Sequence, residues 1–223
     1  MKLLIFSDTH LTKKFDPAKF RYLLHIISSA DKVIINGDFW DMFFTTFDEF
    51  VNSEWNQLFP VLKQKQAVYI YGNHDEKWAS DERANLFSVS QVYHYDIDAD
   101  GLSLHVEHGQ RMIPQMGMLS YVPTFISVRL EFILRMVLGR FIKVLLQPLN
   151  DELKAWIKYN LPGNQILVCG HTHLQEDARS QRLINSGFNL YGFGQYLMVE
   201  NGEAKLNAVK YNQPIFNVNV AQA

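Results

Sequence analysis

The sequence is poor in cysteine, since Cys169 is the single cysteine among 223 residues. One cysteine excludes an intramolecular disulfide framework and fits a reducing compartment. The chain also lacks a surplus of charge of either sign: 21 lysines and arginines oppose 23 aspartates and glutamates, so the formal net charge is −2. This balance gives no indication of the basic groove that a nuclease needs, and we expect no nucleic-acid partner.

Long apolar runs are lacking as well. The run at residues 3–6 ends before the acidic Asp8, which favours a buried strand over a secretory signal. Residues 112–128 carry no charge, but two prolines and a glycine interrupt them, and they are short for a membrane-spanning helix. We therefore expect a cytoplasmic protein, with peripheral contact at the inner face of the membrane as the alternative.

What the sequence does contain is a succession of short apolar segments typical of strands buried on both faces. These segments lie at residues 3–6, 33–35, 68–71, 102–106 and 166–168. Near the end of the chain, residues 182–209 have the pattern of hairpins, with Asn201-Gly202 as a tight turn.

Helix-like segments separate the first strands, at residues 17–29, 46–59 and 75–87. Asp16 followed by Pro17 predicts the start of the first helix, with the aspartate as its N-cap. The alternation predicts an α/β fold. With 48% hydrophobic residues and this length, we expect one domain over residues 1–223.

Residues 112–149 interrupt this alternation. They are rich in large apolar residues, and their charges are mostly basic. We interpret them as two helices or a helical hairpin inserted between strands. The insertion has three readings: additional core, a lid or membrane contact that binds lipid, or a dimer surface. We favour the lipid reading slightly over a dimer interface, and an oligomer remains an option.

Five short polar motifs follow the predicted strands. In chain order they are Asp8-Thr9-His10, Gly37-Asp38-Phe39-Trp40-Asp41, Gly72-Asn73-His74-Asp75, His108-Gly109 and Gly170-His171-Thr172-His173. Ligands bind at the carboxyl ends of strands in open α/β sheets, so we expect the five motifs to converge.

The side chains in these motifs suit a pair of divalent cations. Imidazole nitrogens and carboxylate oxygens are ligands for Mn²⁺, Fe, Zn, Co or Ni, and a shared carboxylate offsets the repulsion between two cations. A water held between two such ions has its pKa lowered towards neutrality, which makes it a nucleophile. The motifs therefore predict a binuclear site that hydrolyses a phosphate ester or anhydride, with Mn²⁺ as the favoured ion.

All five motifs, in this order, resemble those of the calcineurin-like metallophosphoesterase superfamily, and the resemblance spans residues 8–173. It implies an α/β sandwich of the αββα type with the site at the sheet edge. It also implies two sets of metal ligands, with Asp38 shared. These are Asp8, His10, Asp38 and His173 for one ion, and Asp38, Asn73, His108 and His171 for the other.

The resemblance implies two further roles. His74 would face the scissile phosphate and stabilise or protonate the leaving oxygen. Asp41 would hydrogen-bond and orient His74, while a helix cap is its simpler interpretation. We interpret Asp75 as the N-cap of a helix starting near Glu76.

Within the superfamily, the chain is most similar to the UDP-2,3-diacylglucosamine hydrolases of lipid A synthesis, in its size, its Gly37–Phe43 segment and its apolar, basic insertion. The implied function is hydrolysis of a phosphodiester or pyrophosphate bond on a lipid-linked nucleotide. His74 and Gln110 depart from that subfamily, which carries arginine and aspartate there. The alternatives are a phosphodiesterase or phosphatase for a small soluble substrate, and a non-catalytic binding scaffold of the same fold.

Overall fold

The computed structural model describes residues 1–113, 133–134, 137–212 and 216. Its strands are β1 Lys2–Phe6, β2 Lys32–Asn36, β3 Val68–Ile70, β4 Ser90–Val92, β5 His94–Ala99, β6 Leu102–Glu107, β7 Ile166–Cys169, β8 Glu176–Ala178, β9 Leu183–Asn185, β10 Phe193–Glu200 and β11 Glu203–Lys210. Its α-helices in the described residues are α1 Pro17–Ser28, α2 Phe47–Val51, α3 Phe59–Gln64 and α4 Ile142–Asn160.

The strands form two mixed sheets. The first has the order β11-β10-β1-β2-β3-β4, in which β1 to β4 run parallel and β10 is antiparallel to both neighbours. The second has the order β5-β6-β7-β9-β8, with β6, β7 and β9 parallel. The carboxyl ends of β1, β2 and β3 thus lie at one edge of the first sheet, and those of β6 and β7 lie at one edge of the second.

Apolar side chains explain the layering. Between the sheets, a buried core joins the alternate side chains of both, such as Ile5 and Ile34 from the first and Val106 and Val168 from the second. The opposite face of the first sheet is covered by α1 and α3. Leu153 of α4 packs on the outer face of the second sheet. The predicted sandwich of two sheets between helices is confirmed.

The predicted first helix is confirmed, because the Asp16 carboxylate accepts hydrogen bonds from the N–H groups of Ala18 and Lys19. The prediction of one helix over residues 46–59 is wrong. Ser53 ends it by capping a 3-10 turn, and a new helix starts at Phe59, followed by a proline.

The predicted helix over residues 75–87 is also wrong. This stretch forms two short 3-10 turns, at Lys77–Ala79 and Glu82–Leu86. The Asp75 carboxylate does not cap a helix there, because it turns inward to backbone N–H groups of neighbouring loops.

Much of the predicted insertion at 112–149, including residues 114–132 and 135–136, lies outside the described residues. The described helix α4 begins inside the predicted range and continues to Asn160, where it is part of the packed sandwich. Among the described helices, none combines the length and the apolar character needed to cross a bilayer.

Candidate metal centre

The five motifs converge where the two sheets meet. The loops after β1 and β2 run side by side, because the N–H groups of Asp8 and His10 donate to the carbonyls of Gly37 and Asp38 at 3.1 and 2.9 Å. The loop after β7 joins the loop after β6, since the Gly170 N–H donates to the His108 carbonyl at 3.0 Å. Both sheets therefore contribute residues to the site.

One group of close ligand atoms combines Asp8, His10 and His173, whose donor atoms all lie within 4.8 Å of one another. His173 Nε2 lies 3.1 Å from Asp8 Oδ1, and His10 Nε2 lies 3.7 Å from Asp38 Oδ2. These are the four residues predicted for one ion, and the structure places them together.

A second group combines Asp8, Asp38 and His108, again within 4.8 Å. His108 Nε2 lies 3.3 Å from Asp38 Oδ2 and 3.9 Å from Asp8 Oδ1. The other ring nitrogen, Nδ1, lies 2.8 Å from the Asn36 carbonyl oxygen. A neutral ring that donates its Nδ1 proton to that carbonyl would present the lone pair of Nε2 to a metal ion.

His171 lies beside the second group but outside the clusters of close His, Cys, Asp and Glu ligand atoms found among the described residues. Its ring centroid is 5.2 Å from that of His108, and its N–H donates to Asp8 Oδ2 at 3.2 Å. Burial and the neighbouring His108 lower the pKa of His171 to about 3. The imidazole is therefore neutral at physiological pH, the form that binds metal.

Five buried polar atoms at this site make no hydrogen bond within the described part of the chain. They are Asp8 Oδ1, His10 Nε2, Asn73 Oδ1, His108 Nε2 and His171 Nε2. Buried polar atoms are normally paired, because an unpaired one loses its hydration without compensation. All five belong to the predicted ligand set, and their oxygen and nitrogen donors suit the divalent ions predicted from the sequence.

The buried charges at the site are strongly coupled. Burial opposes ionisation of Asp8 and Asp38, but the nearby imidazoles, His108 foremost, hold the pKa of both carboxyl groups below its usual value. Burial likewise opposes protonation of His108, yet the two carboxylates raise its pKa to about 10. The two carboxylates thus attract positive charge, which either the protonated His108 ring or a bound cation can supply.

Asp41 connects two histidines rather than one. Its Oδ2 lies 3.0 Å from His74 Nδ1 and 3.2 Å from His10 Nδ1. Although burial acts in the opposite direction, these hydrogen bonds lower the pKa of Asp41 to about 2. Its Oδ1 also accepts the Phe43 N–H at 3.0 Å, so the carboxylate closes its own turn as well.

His74 is fixed from both ends. Its N–H donates to Asp38 Oδ1 at 2.8 Å, and its ring contacts Asp41. Burial disfavours the charged ring, but the carboxylates of Asp38 and Asp41 outweigh it and raise the pKa of His74 above its usual value. A protonated imidazole at this place is suited to donate a proton.

The backbone at the site adopts a conformation that side-chain-bearing residues rarely take. Positive φ angles of 44° to 62° occur at Asp8, His10, Asp38, His171 and His173. Such left-handed conformations are uncommon outside glycine and persist where surrounding contacts enforce them. Here they turn each ligand loop sharply back towards the site.

Sequence reasoning missed Asp75. Its buried carboxylate accepts the N–H groups of Asp38, Phe39 and Gly72 at 3.0, 2.7 and 2.7 Å, so it joins the loops after β2 and β3. Burial and the adjacent Asp38 charge raise the pKa of Asp75 to about 7, against the effect of these hydrogen bonds. Its position inside the Gly72-Asn73-His74-Asp75 motif is the sequence feature that could have indicated a role at the site.

A second missed group holds the loop after β7. The buried Asn150 amide of α4 accepts hydrogen bonds from Thr172 Oγ1 at 2.7 Å and from Asn185 Nδ2 at 3.1 Å. It donates to the Leu174 carbonyl at 3.1 Å and to Glu176 Oε2 at 2.8 Å. Thr172 lies between the two strained histidines of its loop, so α4 fixes their backbone.

Comparison with known families gives one match over nearly the whole chain. The model of the calcineurin-like phosphoesterase superfamily domain matches residues 1–213. A comparison with curated proteins finds no relative of significant similarity.

Solved structures with a similar backbone include Vps29 of Entamoeba histolytica in complex with Zn²⁺. It is 13% identical, with a TM-score of 0.51 over 95% of this chain and 100% of that one. Others are an archaeal phosphodiesterase (18% identity, TM-score 0.47, 94% and 100% coverage) and the Escherichia coli phosphoesterase YfcE (18%, 0.48, 95% and 100%). At these identities the likeness concerns the fold.

Proposed function

The chain belongs to the calcineurin-like phosphoesterase superfamily, and on this premise we propose that it is a binuclear metal-dependent phosphodiesterase or phosphatase for a small soluble phosphoester. The observation that carries the proposal is a set of five buried donor atoms that make no hydrogen bond within the described residues, all from predicted ligand residues. Burying so many polar atoms without partners is costly unless a cation pairs with them.

Two groups of residues would hold the ions. Asp8, His10 and His173 form one group, and Asp38 and His108 belong to the other, with Asn73 and His171 completing it. Bound divalent cations would lower the pKa of a water and offset the charge on the phosphoryl oxygens. Asp38 Oδ2 lies 3.7 Å from His10 Nε2 and 3.3 Å from His108 Nε2, one ring from each proposed ligand set, which suits the predicted bridging position.

His74 would act on the leaving oxygen. Its raised pKa favours the protonated ring that this role needs. Asp41 would hold that ring in place and, through its second contact, would hold the His10 ring as well. Loss of Asp41 would therefore disturb both the acid and a metal ligand.

We favour a small soluble ester over a lipid-linked nucleotide as the substrate. Every proposed metal ligand and both proposed catalytic residues lie on the loops after β1, β2, β3, β6 and β7. None comes from the apolar segment at 112–149 on which the lipid reading depends. The chemistry proposed here is complete without that segment.

A lipid-linked substrate such as UDP-2,3-diacylglucosamine is the second candidate. The observation that favours it is the exposure of Val137, Val144 and Leu145, next to the exposed Lys143. Exposed apolar residues beside a basic one suit contact with an anionic lipid. Faster hydrolysis of that lipid than of any soluble diester would favour this candidate over the first.

The test is hydrolysis of a chromogenic bis-aryl phosphodiester by the full chain with added Mn²⁺. We expect turnover that depends on the ion and falls at least about 1000-fold in Asp38→Ala, because the shared ligand is lost. The matched control is Asp98→Asn, which alters an exposed aspartate at the far end of β5 and should keep wild-type activity. Equal rates with and without every divalent ion tried would refute the proposal and favour a binding scaffold.

A further inference from the structure

An exposed aromatic ring borders the candidate metal centre. Phe43 lies in the loop after β2, and 53% of its surface is exposed. Its ring centroid lies 5.0 Å from that of His74, and the two rings are nearly perpendicular, at 81°. An exposed ring therefore adjoins the histidine that is proposed to act on the leaving oxygen.

The loop that carries this ring is held by backbone hydrogen bonds. The Phe43 N–H donates to Asp41 Oδ1 at 3.0 Å, and the preceding Met42 N–H donates to the His74 carbonyl at 2.8 Å. The Phe44 N–H donates to the Asp41 carbonyl at 3.1 Å. Because both anchors are site residues, the position of Phe43 relative to His74 is set by the same contacts that order the site.

We propose that Phe43 forms a subsite for a planar aromatic group on the leaving side of the substrate. The proposal rests on the function proposed above, in which His74 serves the leaving oxygen. An aromatic ring bonded to that oxygen would lie next to the imidazole of His74. Aromatic pairs interact in offset or edge-to-face geometry at centroid distances of about 4.5–7 Å, so the exposed ring of Phe43 is within reach.

The exposed surface of Phe43 indicates which chemical group can bind beside it. A half-exposed ring on a hydrogen-bonded loop offers a flat face or an edge, which an aryl group or nucleobase can match without enclosure. A flexible alkyl chain would need a covered groove to gain the same contact, since its binding depends on the area removed from water. The preferred leaving group is therefore an aromatic alcohol or a nucleoside whose base reaches Phe43.

The experiment compares two methyl phosphodiesters whose leaving groups have equal acidity, one a phenol and the other a fluorinated alcohol. With Mn²⁺ and the full chain, we expect kcat/KM to favour the phenyl ester by about three- to tenfold, the usual size of an aromatic pair. Phe43→Leu should remove this preference by slowing the phenyl ester alone. Phe43→Trp should keep it.

Phe44→Leu is the matched control. Phe44 is the next residue, is 43% exposed, and its ring stacks on no site residue in the described part of the chain, so its loss should leave the preference unchanged. Equal rates for the two esters in the wild type, an unchanged preference in Phe43→Leu, or an equal loss on both esters would each overturn the subsite while leaving the metal-dependent hydrolysis intact. Failure to hydrolyse either ester with any divalent ion would overturn the proposed function and the subsite together.

Discussion

Individual proposed ligand residues at this site adopt backbone conformations that cost about 1–3 kcal/mol each relative to ordinary ones. Asp8 and Asp38 both have left-handed φ angles, of 55° and 52°. The chain keeps them there through the paired loops after β1 and β2 and through the inward-facing Asp75. The backbone geometry of the site is thus set by hydrogen bonds between the loops and not by the side chains of the proposed ligands.

Gly170 illustrates how little room the carboxylates leave. A Cβ atom at this position would overlap both Ser7 Oγ and Asp8 Oδ2. We expect Gly170→Ala to push the Asp8 carboxylate out of position and to weaken Mn²⁺ binding by about 10- to 100-fold, the usual effect of disturbing the support of a metal ligand. Calorimetric titration of the purified variant with Mn²⁺ measures this change.

Gly163→Ala is the control for that substitution. Nothing lies within 4 Å of a Cβ atom built on Gly163. Its Mn²⁺ affinity should equal that of the wild type. An equally unaffected Gly170→Ala would show that Asp8 does not take part in binding the ion.

The motifs indicated the site jointly rather than one by one, since each alone is a weak signal and all five follow apolar strands. Asp75 was not interpreted correctly, although it belongs to a motif. An aspartate before Glu76 has the same local pattern whether it caps a helix or accepts N–H groups from distant loops. Only the packed structure, in which Asp38 and Gly72 lie next to each other, distinguishes the two.

Among the elements, α4 is the one whose role at the site the sequence did not indicate. Asn150 is buried, and its amide group has four partners, so each donor and each lone pair is used. We expect Asn150→Leu to leave the Thr172 hydroxyl without its acceptor, to loosen the two histidines beside it and to weaken Mn²⁺ binding about tenfold. The measurement is Mn²⁺ affinity together with kcat for the aryl diester.

Gln147→Leu separates this positioning effect from general damage to the helix. Gln147 lies one turn earlier and contacts the same Glu176, at 3.2 Å, without touching Thr172. It should keep the wild-type affinity for Mn²⁺. If Thr172→Val, which removes the hydroxyl, binds Mn²⁺ as tightly as Thr172→Ser, which retains it, the positioning role is wrong.

Helix α1 carries a buried lysine whose charge the fold disfavours. Lys19 Nζ donates to the Thr9 carbonyl, and burial lowers its pKa to about 7, against the attraction of Asp16. Unfolded lysine titrates near pH 10.4, so between pH 7 and 10 the unfolded chain binds one more proton than the folded chain. The free energy of unfolding due to this group must therefore rise with pH in that window.

Comparison with Lys19→Met isolates that contribution. From pH 7 to 9, the stability of the wild type should increase relative to the variant by at most about 1.4 kcal/mol per pH unit. Urea denaturation at several pH values gives this difference. A constant difference across the window would mean that Lys19 stays charged in the folded chain.

The elements that the sequence predicted well are those with strong local signals. Strands β1, β2 and β3 are continuous apolar runs, and α1 has an aspartate cap followed by proline. Strand β4 was missed because its three residues are all half-buried and two of them are polar, and β5 was missed because exposed and half-exposed residues alternate in it. Their pairing is decided by partners in the sheet, which local pattern does not encode.

At the scale of the whole molecule, the site joins the two sheets. Removal of the ions should therefore lower stability as well as activity, because the buried carboxylates of Asp8 and Asp38, which lie close together, would then repel each other without a cation. We expect a chelator to abolish turnover and Mn²⁺ to raise Tm. At 100 times its dissociation constant a bound ion adds about 2.7 kcal/mol.

Differential scanning calorimetry with and without Mn²⁺ measures the shift in Tm. Asp38→Ala should show a much smaller shift, since it lacks the shared ligand. A Tm that is the same in chelator and in saturating Mn²⁺ would argue against a site at the junction of the sheets.

The division of the ligands between the two sheets links catalysis to the packing of the hydrophobic layer between them. Ile5 and Ile34 on one side face Val106 and Val168 on the other, and each of these strands ends in a ligand loop. The thickness of this apolar layer fixes how far apart the two halves of the ligand set are held. Enlarging or shrinking a side chain deep within it would shift the proposed ligands of one sheet relative to those of the other around each ion, so residues that never meet the substrate would share control over the rate at which it is cleaved.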